Sequence, residues 1–160
     1  MYSNKFFPLD QLIPKIQKEK KQGKTVALAN GGFDLIHIGH VRYLREAAKV
    51  ADILVLALNS DSSLKQLKGD HRAILDLHNR ATILASFEFI DYVTFFDELT
   101  VDNVLLTLKP DFHCKGSDYT PDTVPERHTV RSYGGQIAIV GGDKVRSTSE
   151  IIAHIRALYP

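Results

Sequence analysis

The sequence predicts an α/β fold in which helices cover both faces of a five-stranded, doubly wound parallel sheet. Short apolar runs typical of buried strands alternate with segments of helical periodicity along the chain. A glycine pair and two histidines follow the first strand, where such a sheet presents backbone N–H groups and a helix N-terminus to ligands. The 160 residues fit a single domain over 1–160, with an N-terminal helix over about 9–22.

The pattern of each segment predicts the elements in order. Apolar residues recur at helical spacing over 9–22, although Pro14 would disturb that helix unless it lies in the first turn. Continuous apolar runs predict strands at 25–29, 53–58, 92–96, 112–114 and 136–140. Helical patterns predict helices at 41–50, 62–67 and 77–87, from Thr100 or Asp102 to about 109, and at 126–133. Ser147 and Glu150 have the spacing of a capping box, which predicts the start of the last helix.

The composition is that of an ordinary globular protein. Its formal net charge of +1 gives no large field that would favour nucleic acid or a membrane surface. No run approaches the roughly 20 apolar residues that a membrane-spanning helix needs. Cys114 is the only cysteine, so no intrachain disulfide forms, and its apolar neighbours favour a buried, inert thiol. We therefore expect a cytoplasmic protein without a cleaved signal and without nucleic-acid or membrane partners.

The segment 30–40 is the strongest candidate for a ligand site. Gly31 and Gly32 lack Cβ atoms, which lets a phosphate approach the backbone. His37 and His40 lie about one helical turn apart, so both imidazoles can face one ligand and donate to an α-phosphate as its charge builds up. A His-x-x-His pair could also bind zinc, but no third ligand stands at a recognisable spacing. We therefore predict no metal site.

Three further clusters place cations or hydroxyl groups after ordered elements. The segment 144–149 puts two cations before a hydroxyl-rich helix start, which suits a polyphosphate but also plain helix capping. The other two are 68–72, with Arg80 downstream, and 115–119. The dinucleotide fingerprint and the phosphate-binding loop are both absent, which disfavours a dehydrogenase or a kinase. The other histidines, His113 among them, are expected to be structural or solvent-facing.

These segments, in this order, resemble the nucleotidyltransferase superfamily with the His-x-Gly-His motif, and within it the D-glycero-D-manno-heptose 1-phosphate adenylyltransferase family. The resemblance runs from about Leu9 to Ile155 and rests on 30–44, 59–61, 67–69, 79–81, 96–98, 115–121, 133–135 and 146–148. It implies a Rossmann-like sheet of the nucleotidylyltransferase type. It also implies a homodimeric enzyme that transfers AMP from ATP to a sugar 1-phosphate, with Mg²⁺ bridging the phosphates. The products would be pyrophosphate and an ADP-heptose for lipopolysaccharide or other cell-envelope polysaccharide.

The resemblance also assigns roles to individual residues of this chain. The catalytic residues would be His37, His40, Lys68 and Arg146. The nucleotide would be bound by Asn30, Gly31, Gly32, Phe33, Asp34, His37, Gly39, His40, Lys115, Gly116, Asp118, Arg146, Ser147 and Thr148. The acceptor substrate would be bound by Asp61, Lys68, Arg80 and Tyr119.

Several positions depart from the pattern of that family. Gly32 stands where Cys or Thr is usual, Ala73 replaces a usual proline, Ser117 replaces a usual glycine, and 141–145 is atypical. The last three bear on the identity of the sugar more than on the reaction type. Two other functions remain open: a cytidylyltransferase that acts on a polyol or alcohol phosphate, and a non-catalytic nucleotide-binding module.

Overall fold

Five strands carry the apolar runs of the sequence, and all of them lie parallel in one sheet. The computed structural model describes residues 4–142 and 147–159. The strands are β1 (Val26–Gly31), β2 (Ile53–Asn59), β3 (Tyr92–Phe96), β4 (Phe112–Gly116) and β5 (Gln136–Val140). They are arranged in the order β3-β2-β1-β4-β5. The predicted bounds of β3 and β5 are confirmed, and the other three strands extend one or two residues further at their carboxyl ends.

Helices cover both faces of this sheet. In chain order they are α1 (Leu9–Lys21), α2 (Ile38–Ala47), α3 (Asp61–Lys68), α4 (Leu77–Ala85), α5 (Asp102–Leu108), α6 (Arg127–Ser132) and α7 (Thr148–Leu158). Alternate residues of β1 point into two separate apolar clusters, one on each face. Helices α2 and α4 contribute to the first cluster, and α1, α5 and α6 contribute to the second. No helix in the described ranges is long and apolar enough to cross a membrane.

The strand order reverses between β1 and β4. From β1 the chain adds β2 and β3 on one side, and then it crosses to the other side of β1 to add β4 and β5. Helices therefore leave the carboxyl ends of β1 and β4 toward opposite faces, which opens a crevice between these two strand ends. The predicted doubly wound sheet is confirmed, and its topology places any ligand site at this crevice.

The predicted N-terminal helix is confirmed, and the cap predicted for α5 is wrong. Helix α1 continues from Leu9 to Lys21 without a break, although Pro14 lies well beyond its first turn. Pro14 lies on the exposed side of α1, where water can satisfy the carbonyl that a proline leaves without a partner. The N-cap of α5 is Val101, between the two residues predicted for that position, and its side chain makes no capping hydrogen bond.

Candidate active site

The loop after β1 presents both motif histidines at the start of α2. This helix begins at Ile38, three residues earlier than predicted, so His37 is its N-cap and His40 lies in its first turn. The backbone N–H of Gly39 donates to His37 Nδ1 at 3.1 Å, and the backbone N–H of His37 donates to His40 Nδ1 at 3.3 Å. The two imidazole rings lie 3.8 Å apart, centroid to centroid. The side chains therefore cap the helix reciprocally with their Nδ1 atoms.

This capping fixes the tautomer of both rings. An Nδ1 atom that accepts a backbone hydrogen bond cannot carry a proton, so each neutral ring is protonated on Nε2. Burial lowers the pKa of His40 to about 4, and the electrostatic interactions with His37 and Lys68 act in the same direction. Burial also lowers the pKa of His37. At neutral pH both histidines are therefore uncharged, and each offers one Nε2–H donor to a ligand.

A cavity of about 540 Å³ opens beside these rings. Its volume lies within the range of about 300 to 1,000 Å³ that is usual for small-molecule sites. The start of α2 and the start of α7 line it together with the loops after α3, β4 and β5. The predicted site residues that it brings together are His37, Gly39, His40, Lys68, Gly116, Asp118, Ser147 and Thr148. The capping box predicted for α7 is confirmed, with the Ser147 hydroxyl accepting from Glu150 N.

The cavity also has lining residues that were not among the predicted site residues. They are Arg42, Tyr43, Arg72, Ser117, Val140, Gly141, Gly142 and Ser149. Helical spacing from His40 could have identified Tyr43, whose hydroxyl donates to Cys114 O at 2.8 Å. Ser117 Oγ donates to Gly142 O at 2.5 Å, which joins the loops after β4 and β5. Arg72 could have been identified as a lining residue from the cation-rich segment 68–72, which contains it.

Asp34 supports the cavity from below and does not line it. Its side chain is 3% exposed, and its carboxylate accepts from Ile74 N at 2.8 Å and Leu75 N at 3.0 Å. The same carboxylate pairs with Arg72 Nε at 3.2 Å, which holds that guanidinium at the cavity wall. The Asp34 carbonyl accepts from Thr148 Oγ1 at 2.9 Å. Asp34 thus connects the loop after α3 to the start of α7, whereas the resemblance implied that the backbone near Asp34 binds nucleotide.

Arg80 does not reach the acceptor side of the cavity as predicted. Its side chain is fully buried, and its guanidinium donates to Gly32 O at 2.6 Å, Asn59 O at 2.9 Å and Leu75 O at 3.0 Å. Asp61, another of the predicted acceptor ligands, pairs with the same guanidinium at 2.6 Å. The prediction of direct substrate contact by Arg80 is therefore wrong, because all of its donor nitrogens face the protein. The pair stabilises the carboxyl ends of β1 and β2.

The first glycines of the loop also lie outside the cavity lining. A Cβ atom on Gly32 would lie 2.7 Å from Leu64 Cδ2, so glycine leaves the room that this leucine occupies. Phe33 is buried, and its ring packs against His40 at 5.3 Å and Tyr43 at 6.3 Å, centroid to centroid. These residues therefore support the histidines from beneath. Gly31 likewise does not line the cavity.

Asn30 and Lys115 do not line the cavity, and their side chains bond to each other. Lys115 Nζ lies 3.2 Å from Asn30 Oδ1 and 3.1 Å from the carboxylate of Glu126. Tyr119 lies beside this lysine, with its ring centroid 5.5 Å from Nζ, and does not line the cavity.

Arg146, predicted to be catalytic, lies outside the described residues. Cys114 is buried as predicted, and burial raises the pKa of its thiol to about 12.

The sequence of this chain is similar to one known protein family and to several known proteins. Residues 28–159 match the sequence model of a family described as cytidylyltransferase-like. The bifunctional protein HldE of Syntrophotalea carbinolica is 44% identical over 99% of this chain and 32% of its own length. HldE of Geobacter sulfurreducens is 48% identical over 94% of this chain and 31% of its own length. The chain thus spans about a third of the length of these relatives.

Two solved structures share the fold. A lipopolysaccharide core biosynthesis protein from Thermoplasma volcanium superposes with a TM-score of 0.64 at 27% identity, over 78% of this chain and all of its own. A pantoate–β-alanine ligase from Francisella tularensis superposes with a TM-score of 0.61 over 90% of this chain and 68% of its own. Its 15% identity indicates likeness of fold alone.

Proposed function

We propose, because this chain belongs to the cytidylyltransferase-like family, that it is a nucleotidyltransferase which transfers AMP from ATP to a sugar 1-phosphate. The acceptor we propose is D-glycero-β-D-manno-heptose 1-phosphate, which gives ADP-heptose and pyrophosphate for lipopolysaccharide or other cell-envelope polysaccharide. One observation carries the proposal: two uncharged histidines aim Nε2–H donors into a cavity that a second helix N-terminus closes. The HldE relatives, at 44% and 48% identity, support the choice of acceptor.

The reaction needs positioning and charge stabilisation and no covalent enzyme intermediate. An oxygen of the acceptor phosphate attacks the α-phosphorus of ATP, and the bond to the bridging oxygen of the pyrophosphate breaks. His37 and His40 donate to the α-phosphate oxygens, on which charge accumulates in the transition state. Lys68 and Arg72 line the same cavity and supply the positive charge that the uncharged histidines do not. The acceptor phosphate is already ionised, so no general base is required.

The start of α7 suits the leaving pyrophosphate. Its capping box uses the N–H groups of Ser147 and Glu150, which leaves those of Thr148 and Ser149 for a ligand. The helix dipole adds partial positive charge at the same place. We assign the β- and γ-phosphates to this terminus, and Arg146 to the same phosphates on the strength of the resemblance.

Magnesium enters this proposal as part of the nucleotide substrate. Within residues 4–142 and 147–159, no group of three or more His, Cys, Asp or Glu side chains could hold a metal ion. Asp118 is the only carboxylate among the residues that line the cavity in those ranges. This set of side chains fits a magnesium ion that is held mainly by the phosphates it accompanies. A homodimer, which the resemblance supports, and a cytoplasmic location, which the composition and the single cysteine support, also belong to the proposal.

A pyrophosphate-release assay tests the proposal. ATP and CTP are each paired with heptose 1-phosphate, other sugar 1-phosphates and polyol phosphates, with magnesium present. We expect turnover with ATP and heptose 1-phosphate to exceed every other pair. A strong preference for CTP and a polyol phosphate would indicate the cytidylyltransferase alternative. A thermal shift with ATP but no turnover with any pair would indicate a nucleotide-binding module.

A further inference from the structure

We propose that His113 and Glu126 are positioning residues, which hold the Asn30 carboxamide so that its N–H groups bind a phosphate oxygen of a bound substrate. The inference rests on the proposed function, because it assigns these residues to the same transfer site. Neither His113 nor Glu126 was expected to serve the site from the sequence.

The Asn30 amide has one possible orientation. Lys115 Nζ lies 3.2 Å from the Oδ1 position, and an ammonium group can only donate hydrogen bonds. The atom that faces Lys115 must therefore be the amide oxygen. The Nδ2 group then points away from the lysine. Within the part of the chain that the structure describes, Nδ2 has no protein acceptor, and Asn30 is only half-buried.

His113 fixes the same oxygen from a second side. Its Nε2 lies 3.0 Å from Asn30 Oδ1, and the ring is fully buried. Burial lowers the pKa of His113 to about 3, so the ring is uncharged and donates through Nε2–H. Its Nδ1 is then an acceptor, buried without a hydrogen-bond partner in the described ranges. A buried acceptor without a hydrogen-bond partner costs folding free energy, which an apolar side chain at this position would avoid. Proteins tend to tolerate such a cost where a function requires it.

Glu126 holds Lys115 in place for this contact. The side chains of Glu126 and Lys115 are 8% and 11% exposed, and their charged groups lie 3.1 Å apart. Glu126 precedes α6, so a helix on one face of the sheet fixes a lysine at the end of β4. Without the carboxylate, the buried ammonium would lose its counter-charge and its fixed direction toward Asn30.

The location of this network is the crevice between β1 and β4. Asn30 and Lys115 are the penultimate residues of the two strands that flank the reversal of strand order. Open parallel sheets bind ligands at this point. Gly116, which follows Lys115, lines the cavity beside His37 and His40. The strand ends that carry Asn30 and Lys115 therefore border the cavity through Gly116, and the proposal directs the N–H groups of Asn30 to a phosphate oxygen bound there.

The test compares His113→Leu with His113→Gln, because a glutamine amide can donate from close to the position of His Nε2. We expect His113→Leu to raise the KM for the acceptor or the Kd for ATP by about tenfold or more. One charge-assisted contact is worth roughly 1.4 kcal/mol or more. Its melting temperature should not fall, because the unpartnered Nδ1 is removed. We expect His113→Gln to restore most of the loss. Asn30→Asp should be at least as impaired as His113→Leu.

Thr94→Val is the matched control, since Thr94 is another fully buried side chain whose hydroxyl has no partner in the described ranges. It lies on β3, away from Asn30, and we expect wild-type kinetics. Wild-type kinetics for His113→Leu, or equal impairment of His113→Leu and His113→Gln, would overturn the inference. If the acceptor KM changes, the amide contacts the acceptor, and if the ATP Kd changes, the amide contacts ATP.

The result is separable from the proposed function. If the wild-type protein releases no pyrophosphate with any substrate pair, the proposed function fails. Calorimetric binding of ATP and of inorganic phosphate to the same variants then decides the inference. Weaker binding by His113→Leu with recovery in His113→Gln supports the amide contact, and equal binding by all variants overturns it.

Discussion

Replacing His37 by asparagine separates the two contributions of that side chain, capping α2 and donating to phosphate. The Nδ1 atom of His37 accepts from Gly39 N at 3.1 Å, and the Oδ1 atom of asparagine can accept the same bond. Asparagine is among the preferred N-cap residues. It has no atom at the position of Nε2, so the donor to the α-phosphate is lost. The matched variant His37→Ala loses both contacts.

The two losses have different magnitudes. Removal of one donor that stabilises transition-state charge costs about 10²- to 10³-fold in kcat, or roughly 2.7 to 4 kcal/mol. Loss of an N-cap costs about 1 kcal/mol of folding stability. We therefore expect both variants to lose about 10²- to 10³-fold in kcat. His37→Ala should in addition be about 1 kcal/mol less stable than His37→Asn.

Three measurements on the same proteins check this. Pyrophosphate release gives kcat, calorimetry gives the Kd for ATP, and urea denaturation gives the free energy of unfolding. The Kd for ATP should change only a few-fold, because the contact strengthens as charge builds up on the α-phosphate. A kcat for His37→Asn within tenfold of wild type would refute the role of the Nε2 donor. A loss in ATP affinity as large as the loss in kcat would show uniform binding instead.

Three further predictions concern the buried groups that support the site. We expect Arg80→Lys to lower the free energy of unfolding, measured by urea denaturation, by about 3 to 5 kcal/mol. A lysine cannot satisfy all four acceptors of the arginine, which are Gly32 O, Asn59 O, Leu75 O and the Asp61 carboxylate. A loss below about 1 kcal/mol would contradict this account. Burial lowers the pKa of His113 from 6.5 to about 3, so the unfolded chain binds a proton on this histidine before the folded chain does as the pH falls. Between pH 7 and pH 4.5 the free energy of unfolding of the wild type should therefore fall by about 2 to 3 kcal/mol more than that of His113→Leu. Parallel pH profiles of the two proteins would contradict this prediction. Cys114, whose thiol pKa burial raises to about 12, should resist alkylation at pH 8 in the native protein and react fully in urea; rapid native labelling would show an accessible thiol.

The strands and the cap of α7 were the most predictable parts of the fold. The run over β2 is buried along its whole length, and such a continuous apolar segment fits only a strand covered on both faces. The Ser147–Glu150 box depends on two side chains three residues apart, so local sequence is enough to predict it. The predicted site residues that line the cavity also lie near strand ends or helix termini.

The direction of the charged side chains was the least predictable part. Arg80 and Gly32 lie 48 positions apart in the chain, and Asp34 and Leu75 lie 41 apart. A cation or carboxylate near a predicted phosphate site can face the ligand or a remote backbone group. The choice depends on which segments meet there, and no local pattern records it. Arg80 and Lys115 were therefore both assigned to ligands, whereas their side chains bond to the protein.

The histidines show how the fold sets the chemical state of the site. Each Nδ1 accepts a backbone N–H at the start of α2, so a proton added there would turn an acceptor toward a donor and break the cap. The positive end of the helix dipole and the burial of both rings disfavour that proton further. The same contacts that begin α2 therefore keep both Nε2–H donors uncharged and aimed outward. Positive charge for the phosphates must then come from other side chains, and Lys68 and Arg72 line the cavity where it is needed.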